Sequence, residues 1–417
     1  MRILFVTPYV PSLIRVRPFN FIKQLSRRHE VTLISLAQND PSERDAVEQV
    51  QEYCERVYTL PLAKARSLVR CCRRLLTSMP LQAAYTELPR ARDIVARAAE
   101  SGGFDVLHVE HVRGAHLAES VRSLPRVYDS VDCITRLLKQ RLADRCGALQ
   151  RALSYGELLK MRSYEPKVAA AFDSIVITSE HDKRALEYLI RRFAAWSDPS
   201  CAAGVGASPI AVVRNGVDSD YFQPMAAQIQ PASIVFSGKM GYFANVSAVL
   251  RFYGEVFPHI RQKRPDARFK IVGSDPPDAV RRLARDPAVE VTGYVPDIRP
   301  YLASAEVVVC PLTAGVGVQN KVLEAMAMAK PVVATSIACK GIRDAVNGRY
   351  LIRADASEQM ADAVLSLIGN PEQGRRLGEC ARRFVMAGCS WKAAVERLED
   401  VYAMTIELCR GRIPAAA

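Results

Sequence analysis

Short apolar runs alternate with longer segments in which apolar positions recur every three or four residues. In the first half the runs are 3–7, 31–36, 106–109, 127–129, 174–178 and 210–213. In the second half they are 234–237, 269–273, 289–293, 307–311, 332–335 and 350–352. Most are rich in Val and Ile, and a helical length separates most neighbours. This is the pattern of βαβ units whose parallel strands are buried on both faces. Between the two sets lies the polar stretch 222–231, which reads as a linker. The pattern predicts an α/β fold of two Rossmann-like, doubly wound domains facing across a cleft, at 1–225 and 230–388. Helices are expected over 359–369, 373–387 and 392–408, with a corner at Ser390-Trp391. The last helix, within 392–417, is expected to pack back on the first domain. In such sheets ligands bind outside the carboxyl ends of the strands.

Composition narrows the class. With 49% apolar and 24% charged residues, the chain can bury a real core, which excludes disorder as its main state. The apolar stretch 305–312 falls far short of the roughly 18–20 residues of a membrane span. Pro8 and Pro11 end the first apolar run too early for a signal sequence, so 3–7 reads as a buried strand in a cytoplasmic protein. Eleven cysteines, an odd number, cannot all pair within the chain. Cys133, Cys310 and Cys339 read as small core residues. With adjacent Cys71-Cys72, six histidines and no HExxH, no metal site is expected.

The net charge of +13 is unevenly placed. Residues 62–79 carry Lys64, Arg66, Arg70, Arg73 and Arg74 without an acid, among Leu68, Val69, Leu75 and Leu76. Residues 136–151 carry Lys139, Arg141, Arg145 and Arg151 against Asp144. Such stretches suit an anionic membrane surface, with a solvated helix face as the bland alternative. Aromatic residues make up only 7% and no RNP, KH or zinc-finger pattern occurs, which argues against nucleic acid as a partner.

Residues 311–335, PLTAGVGVQNKVLEAMAMAKPVVAT, carry most of the chemistry. A strand ends, a loop follows, and a helix begins near Asn320. The loop Gly315-Val316-Gly317 lacks the third glycine of a dinucleotide fingerprint, and the chain has no GxxxxGK[ST]. Loop amides and a helix N-terminus form a natural site for a diphosphate. Lys321 and Glu324, three apart, share one face. The lysine can pair with phosphate and the carboxylate with a ribose diol. The alternative is a surface salt bridge.

NKVLEAMAMAKPVVAT, with VRNGVD at 213–218, resembles the group 1 (family 4) glycosyltransferases, retaining enzymes of the two-Rossmann GT-B fold. FSGKMGYFANVSAV at 236–249, GYVPDIRPYLASAEVVVCP at 293–311 and Ser390-Trp391 follow the family order. YDSVDCITRLLK and YEPKVAAAFDSIVITSEHDKRAL are similar to sugar transferases of exosortase and exopolysaccharide loci. The resemblance implies transfer of a sugar from a nucleotide-diphosphate sugar to a hydroxyl of a glycan or lipid-linked acceptor, in exopolysaccharide or cell-envelope glycan synthesis. It implies no cofactor and no metal, and a place on the inner face of the cytoplasmic membrane.

Carried over by position, Glu324 matches the second glutamate of the family's E-x7-E motif, which holds the ribose. Val316 stands where the first glutamate is expected, and Gln319 and Asn320 offer replacement hydrogen bonds. Gly317 belongs to the donor loop. Lys239 stands for the arginine that touches the pyrophosphate. The second basic position is Asn245, a loss that Lys321 makes good. Tyr294-Val295 matches the rest of the nucleotide base. In the first half, FDVLHVEH at 104–111 is similar to D-x-x-H-x-H, which makes Glu110 and His111 the catalytic candidates and His108 a core residue. Arg15 and Arg17 match acceptor-side basic positions. Asp132 and Glu165 recur in the subgroup without an assigned role, and Glu165 reads as an anchor of the long helix before Ser174. Two other functions fit the same residues: a nucleotide-sugar epimerase of this fold, or a noncatalytic protein that binds nucleotide sugar or membrane.

Overall fold

The computed structural model describes the chain except residues 39, 102, 144–147, 198–207, 315–318, 343–344 and 412–417. Gly317, Val316 and Arg145 therefore lie outside the described residues. The strands of the first sheet are β1 (Arg2–Thr7), β2 (Glu30–Ala37), β3 (Arg56–Pro61), β4 (Val106–Glu110), β5 (Arg126–Val131), β6 (Ser174–Ile177) and β7 (Ile210–Val212). They lie in the order β3-β2-β1-β4-β5-β6-β7, with every pair parallel. The second sheet contains β8 (Ser233–Ser237), β9 (Arg268–Val272), β10 (Val289–Gly293), β11 (Val307–Cys310), β12 (Val332–Ala334) and β13 (Ile352–Arg353). Its order is β10-β9-β8-β11-β12-β13, again all parallel.

Both sheets are doubly wound. The order reverses between β1 and β4 in one and between β8 and β11 in the other, and each reversal opens a crevice at the carboxyl ends. Sequence patterning missed β3. Its side chains are mostly exposed, because an edge strand need not carry the continuous apolar run of a central one.

Two compact units result: Met1–Val213 with Ala394–Ala417, and Arg214–Ala393. The division falls after Val213, ahead of the polar stretch 222–231. The segment beyond Val213 is already tied into the second unit. There the Asn215 amide donates to Asn320 Oδ1 (3.1 Å) and the Val217 N–H to Cys389 O (2.8 Å). Gly216 is required at this crossing, since a Cβ would lie 2.3 Å from the Trp391 nitrogen.

In the first unit, the C-terminal helix Trp391–Arg410 is fixed by polar contacts as well as by its apolar face. Tyr402 shares a buried 2.8 Å hydrogen bond with His108 Nδ1 on β4, and the Thr405 hydroxyl donates to Ser174 Oγ on β6 (2.8 Å). Glu399 accepts from Arg28 (2.7 Å) and lies 2.8 Å from His29 Nε2. The long helix Ala148–Ala170 serves the unit with two carboxylates. Glu157 accepts the N–H groups of Leu81 and Gln82, at the start of the helix Leu81–Tyr85. Glu165 accepts those of Ile134 and Thr135, at the start of Ile134–Ala143. Glu165 thus lies within the long helix and anchors a neighbouring one. Burial raises its carboxyl pKa, and the hydrogen bonds it receives oppose that shift.

In the second unit, Phe252 and Phe257 pack against Phe269 of β9, with tilted rings whose centroids are 4.7 Å (252–269) and 5.8 Å (257–269) apart. Beyond the strand ends two glycines meet. Gly238 (φ 153°) donates its N–H to Val272 O (2.9 Å), and a Cβ on Gly273 (φ 149°) would lie 1.9 Å from Gly238 O. No side chain fits between them.

Two outcomes are expected. Tyr402→Phe leaves His108 Nδ1 buried without its partner and should lower the unfolding free energy by about 1–3 kcal/mol in urea titrations. Gly273→Ala should cost about 2–5 kcal/mol from overlap and backbone strain, whereas Gly254→Ala, with open space at its Cβ, should be neutral or mildly stabilising.

Candidate functional site

Most residues singled out in the sequence fall at the two switch points, whereas Tyr294 and Val295 follow edge strand β10. In the second unit, β8 ends at Gly238-Lys239, and the chain after β11 leads to the helix Asn320–Ala327. Gln319 occupies the N-cap and Asn320 the first helical position, where it is held by Asn215. Lys321 extends from the first turn over the end of β8. Its ammonium donates to Asn245 Oδ1 (2.8 Å) and lies 5.4 Å from the Phe236 ring centroid. Its Cε would touch a Cβ on Gly238 at 3.0 Å, so the bare glycine is what lets the side chain pass. Asn245, buried on the helix Phe243–Arg251, donates its amide to Lys239 O (2.8 Å). The residue that replaces the expected second cation therefore positions Lys321.

Burial lowers the Lys321 pKa, with Cys310 and Glu324 opposing the shift. One turn along, burial pushes the Glu324 carboxyl up to about 7, against the pull of Lys321. Both side chains are half-buried, and neither charge is fully compensated. Lys239 is exposed and lies 3.5 Å from the Asp275 carboxylate. A cavity of about 400 Å³ extends from Asp275 and Pro276 past Arg281 to Thr292, Gly293 and Tyr294. Tyr294 is 68% exposed, whereas Val295 packs against the core. The cavity wall is thus formed by Gly293-Tyr294, and Val295 supports it from behind. Asp275, Arg281 and Gly273 were missed in the sequence. The only trace was the Gly-Ser-Asp that follows β9.

In the first unit, Glu110 closes β4 opposite Asp129 on β5. It is 1% exposed, and its Oε1 accepts from the Tyr9 hydroxyl (3.0 Å). Burial and then Asp129 push its carboxyl up to about 8, with Arg17, Tyr9 and Arg15 opposing. Glu110 is consequently mostly protonated at neutral pH. His111 leaves the strand at φ 64°, a left-handed conformation that costs a non-glycine residue about 1–3 kcal/mol. Its Nδ1 accepts the Arg113 N–H (3.2 Å), and burial takes its pKa down to about 3. The ring is therefore neutral over the physiological range and carries its proton on Nε2, as a hydrogen-bond donor. Tyr9 and His111 meet edge to face at 6.4 Å.

The two arginines differ. Arg15 stacks 4.7 Å over Tyr9, pairs with Glu43 (3.0 Å) and donates to Val10 O. Arg17 is buried; it donates to Asp129 (2.7 Å) and Val213 O (3.0 Å) and lies 4.4 Å over Phe21. The sequence reading of Arg17 as an acceptor-binding cation is corrected here. Its charge compensates Asp129 inside the fold and is not presented to a ligand. His108 is fully buried, stacked on Phe5 at 4.1 Å, and burial holds it neutral.

Residues 231–370 match the family model described as Glycosyl transferases group 1. Over 221 residues the chain is 29% identical to alpha-maltose-1-phosphate synthase of Mycolicibacterium smegmatis, covering 46% of this chain and 56% of that protein. The chain thus spans about half the length of the curated relatives it matches. Its fold is similar to that of sucrose-phosphate synthase from Thermosynechococcus elongatus, with a TM-score of 0.69 at 15% identity over 98% of this chain and 100% of that one. It is also similar to Anabaena HepE in complex with UDP-glucose, with a TM-score of 0.66 at 14% identity over 97% and 100%. The chain has the two-Rossmann GT-B fold, and its residues 231–370 are a glycosyl transferases group 1 domain.

Proposed function

We propose that the protein is a retaining glycosyltransferase. In this reading it moves a sugar from a nucleotide-diphosphate sugar to a hydroxyl of a glycan or lipid-linked acceptor, in exopolysaccharide or cell-envelope glycan synthesis. The observation that carries this reading is Lys321. Within the matched domain, a half-buried ammonium is held by a neutral amide at the switch point between β8 and β11, one turn from a half-buried carboxylate.

A nucleotide-diphosphate sugar brings its own leaving group. The protein's task is to hold the diphosphate, meet the charge that grows on it, and present a hydroxyl. Lys321 and exposed Lys239 supply that charge without a divalent cation, together with the N-terminus of Asn320–Ala327. Glu324 accepts from the ribose diol, and the base enters the cavity beside Tyr294. On the first unit, His111 donates Nε2–H to a sugar or acceptor hydroxyl, while Glu110 and Tyr9 fix the strand end beneath it. Arg15 lies beside that group as the acceptor-side cation. The enzyme works at the inner face of the cytoplasmic membrane.

Three products separate the readings. Incubation with labelled nucleotide sugars and a lipid-linked acceptor gives glycosylated acceptor for a transferase, an isomerised sugar for an epimerase, and unchanged donor for a binding protein. Glu324→Ala and Lys321→Ala should each weaken UDP-glucose binding about 10- to 100-fold, since hydrogen bonds to charged groups are worth roughly 1.5–3 kcal/mol. Lys321→Ala should weaken UDP more than uridine, because its partner is phosphate. Calorimetric titration decides, and folded variants with wild-type affinities would remove the donor from this helix.

The Glu324 carboxyl also sets a pH dependence. Its folded pKa of about 7 lies above the ordinary carboxylate value, so the stability it contributes is present at low pH and is lost as pH rises through about 7. The ribose diol favours the ionised form. UDP-glucose, whose phosphates do not titrate in this range, should therefore bind more tightly at pH 8 than at pH 6. Glu324→Gln should abolish that difference.

A further inference from the structure

The helix Lys64–Arg73 has its amphipathicity reversed. Ala65, Leu68, Val69 and Cys72 share one stripe at helical spacing, which Leu75 and Leu76 extend beyond its end. A surface helix ordinarily turns such a stripe to the core. Here the stripe faces outward: Leu68 is 59% exposed, Val69 51%, Leu75 48% and Leu76 100%. The polar side faces the protein. Ser67 is buried and accepts from Arg70 (2.7 Å), which also reaches Tyr85 O, and Arg74 Nε donates to Glu87 (3.0 Å). Lys160 of the long helix donates to both Arg74 O and Leu75 O (2.8 Å each), which fixes the end of the stripe. The long helix leaves Tyr155 and Leu159 exposed near that clamp. Lys64, Arg66 and Arg73 flank the stripe, all exposed, and residues 62–79 contain no acid.

We propose that this face docks on an anionic lipid bilayer. Leu68, Val69, Leu75 and Leu76 enter the boundary between headgroups and acyl chains, and Lys64, Arg66 and Arg73 pair with lipid phosphates. The flanking charge selects the occupant. Cations on both sides of an apolar stripe, with no acid between them, complement a surface of uniform negative charge, whereas a protein partner of mixed charge would meet unpaired cations. This deepens the membrane reading given above and rests on it only for the side of the membrane. Arg70 and Arg74 take no part, because their guanidinium groups are engaged within the unit. In the second basic stretch Arg136 pairs inward with buried Asp182 (2.8 Å) and takes no part.

The test is co-sedimentation of the full chain with vesicles of phosphatidylglycerol in phosphatidylcholine, and of phosphatidylcholine alone. The wild type should bind the first at low salt and lose that binding as salt rises. Leu68→Glu with Leu76→Glu should weaken binding at least tenfold. Lys64→Gln with Arg66→Gln and Arg73→Gln should weaken it about 100-fold, at about fivefold per cation. All five positions are exposed, so circular dichroism and the thermal transition should match the wild type. Wild-type protein that does not sediment, or variants that sediment as well as it does, would overturn the proposal. So would a dimer that dissociates in the leucine variant without vesicle binding, which would assign the face to a second copy. The assay contains neither sugar nucleotide nor acceptor, so its failure is distinct from failure of the transfer assay.

Discussion

A contact of bare backbones underlies the candidate donor site. Gly273 approaches the Gly238 carbonyl more closely than any side chain would permit, which brings the ends of β8 and β9 together. The same absence of a Cβ at Gly238 leaves the passage through which Lys321 reaches Asn245. The lysine is then desolvated with one neutral oxygen as partner and an aromatic face nearby. Burying an ammonium on such terms costs free energy, which the lowered pKa reports. An anion brought to this position would restore the lost solvation, so the site gains most from a ligand that carries negative charge. Burial disfavours the charge of Glu324 as well, and hydroxyl donors would favour its ionised form. A phosphate joined to a diol meets both needs within one turn of helix.

The first unit resolves its buried charge internally. Asp129 and Glu110 lie side by side at the ends of β5 and β4, and the buried guanidinium of Arg17 goes to Asp129. Burial and the neighbouring Asp129 outweigh the arginines at Glu110, so its carboxyl holds its proton to about pH 8. Glu157 and Glu165 avoid this outcome by accepting pairs of backbone N–H groups at helix starts, where a carboxylate is favoured. Glu157 and Glu165 thus organise neighbouring helices, whereas Glu110 and Asp129 make up a strand-end group. The strand-end group adjoins two residues in left-handed conformation, His111 after Glu110 and Val131 on Asp129, and strain of that kind is retained where the surroundings over-determine it.

The α/β class and all but one strand were legible because central parallel strands are continuous apolar runs. Edge strand β3 was not legible, for the physical reason that one side of it has no neighbour to cover. Lys321 and Glu324 were legible as a pair on one face, and the pairing of Lys321 with Asn245 was not. That hydrogen bond joins helices 76 positions apart in the chain, and no local spacing encodes it. Arg15 and Arg17 look alike in sequence, two positions apart beside the same loop. The helix Val16–Leu25 turns Arg17 to the core, where Asp129 waits, and leaves Arg15 over Tyr9 in the loop. The domain boundary was displaced for a comparable reason. Polar composition marked 222–231, but the chain had already joined the second unit through Asn215 and Val217.

The same limit applies to charge. Counting cations over residues 62–79 gives five, yet the structure divides them into two that hold the protein together and three that flank an outward apolar stripe. Rotating the helix Lys64–Arg73 by half a turn would bury Leu68 and Val69, at roughly 25 cal/mol for each Å² of apolar surface covered, and return the arginines to water. The fold forgoes that gain. It instead invests Tyr85 O, Glu87 and the Lys160 clamp in holding the opposite orientation. Three separate polar contacts to neighbouring segments enforce an unfavourable solvent exposure. Their joint effect is to keep the stripe outward and in one orientation, and that arrangement becomes favourable only when something apolar covers it.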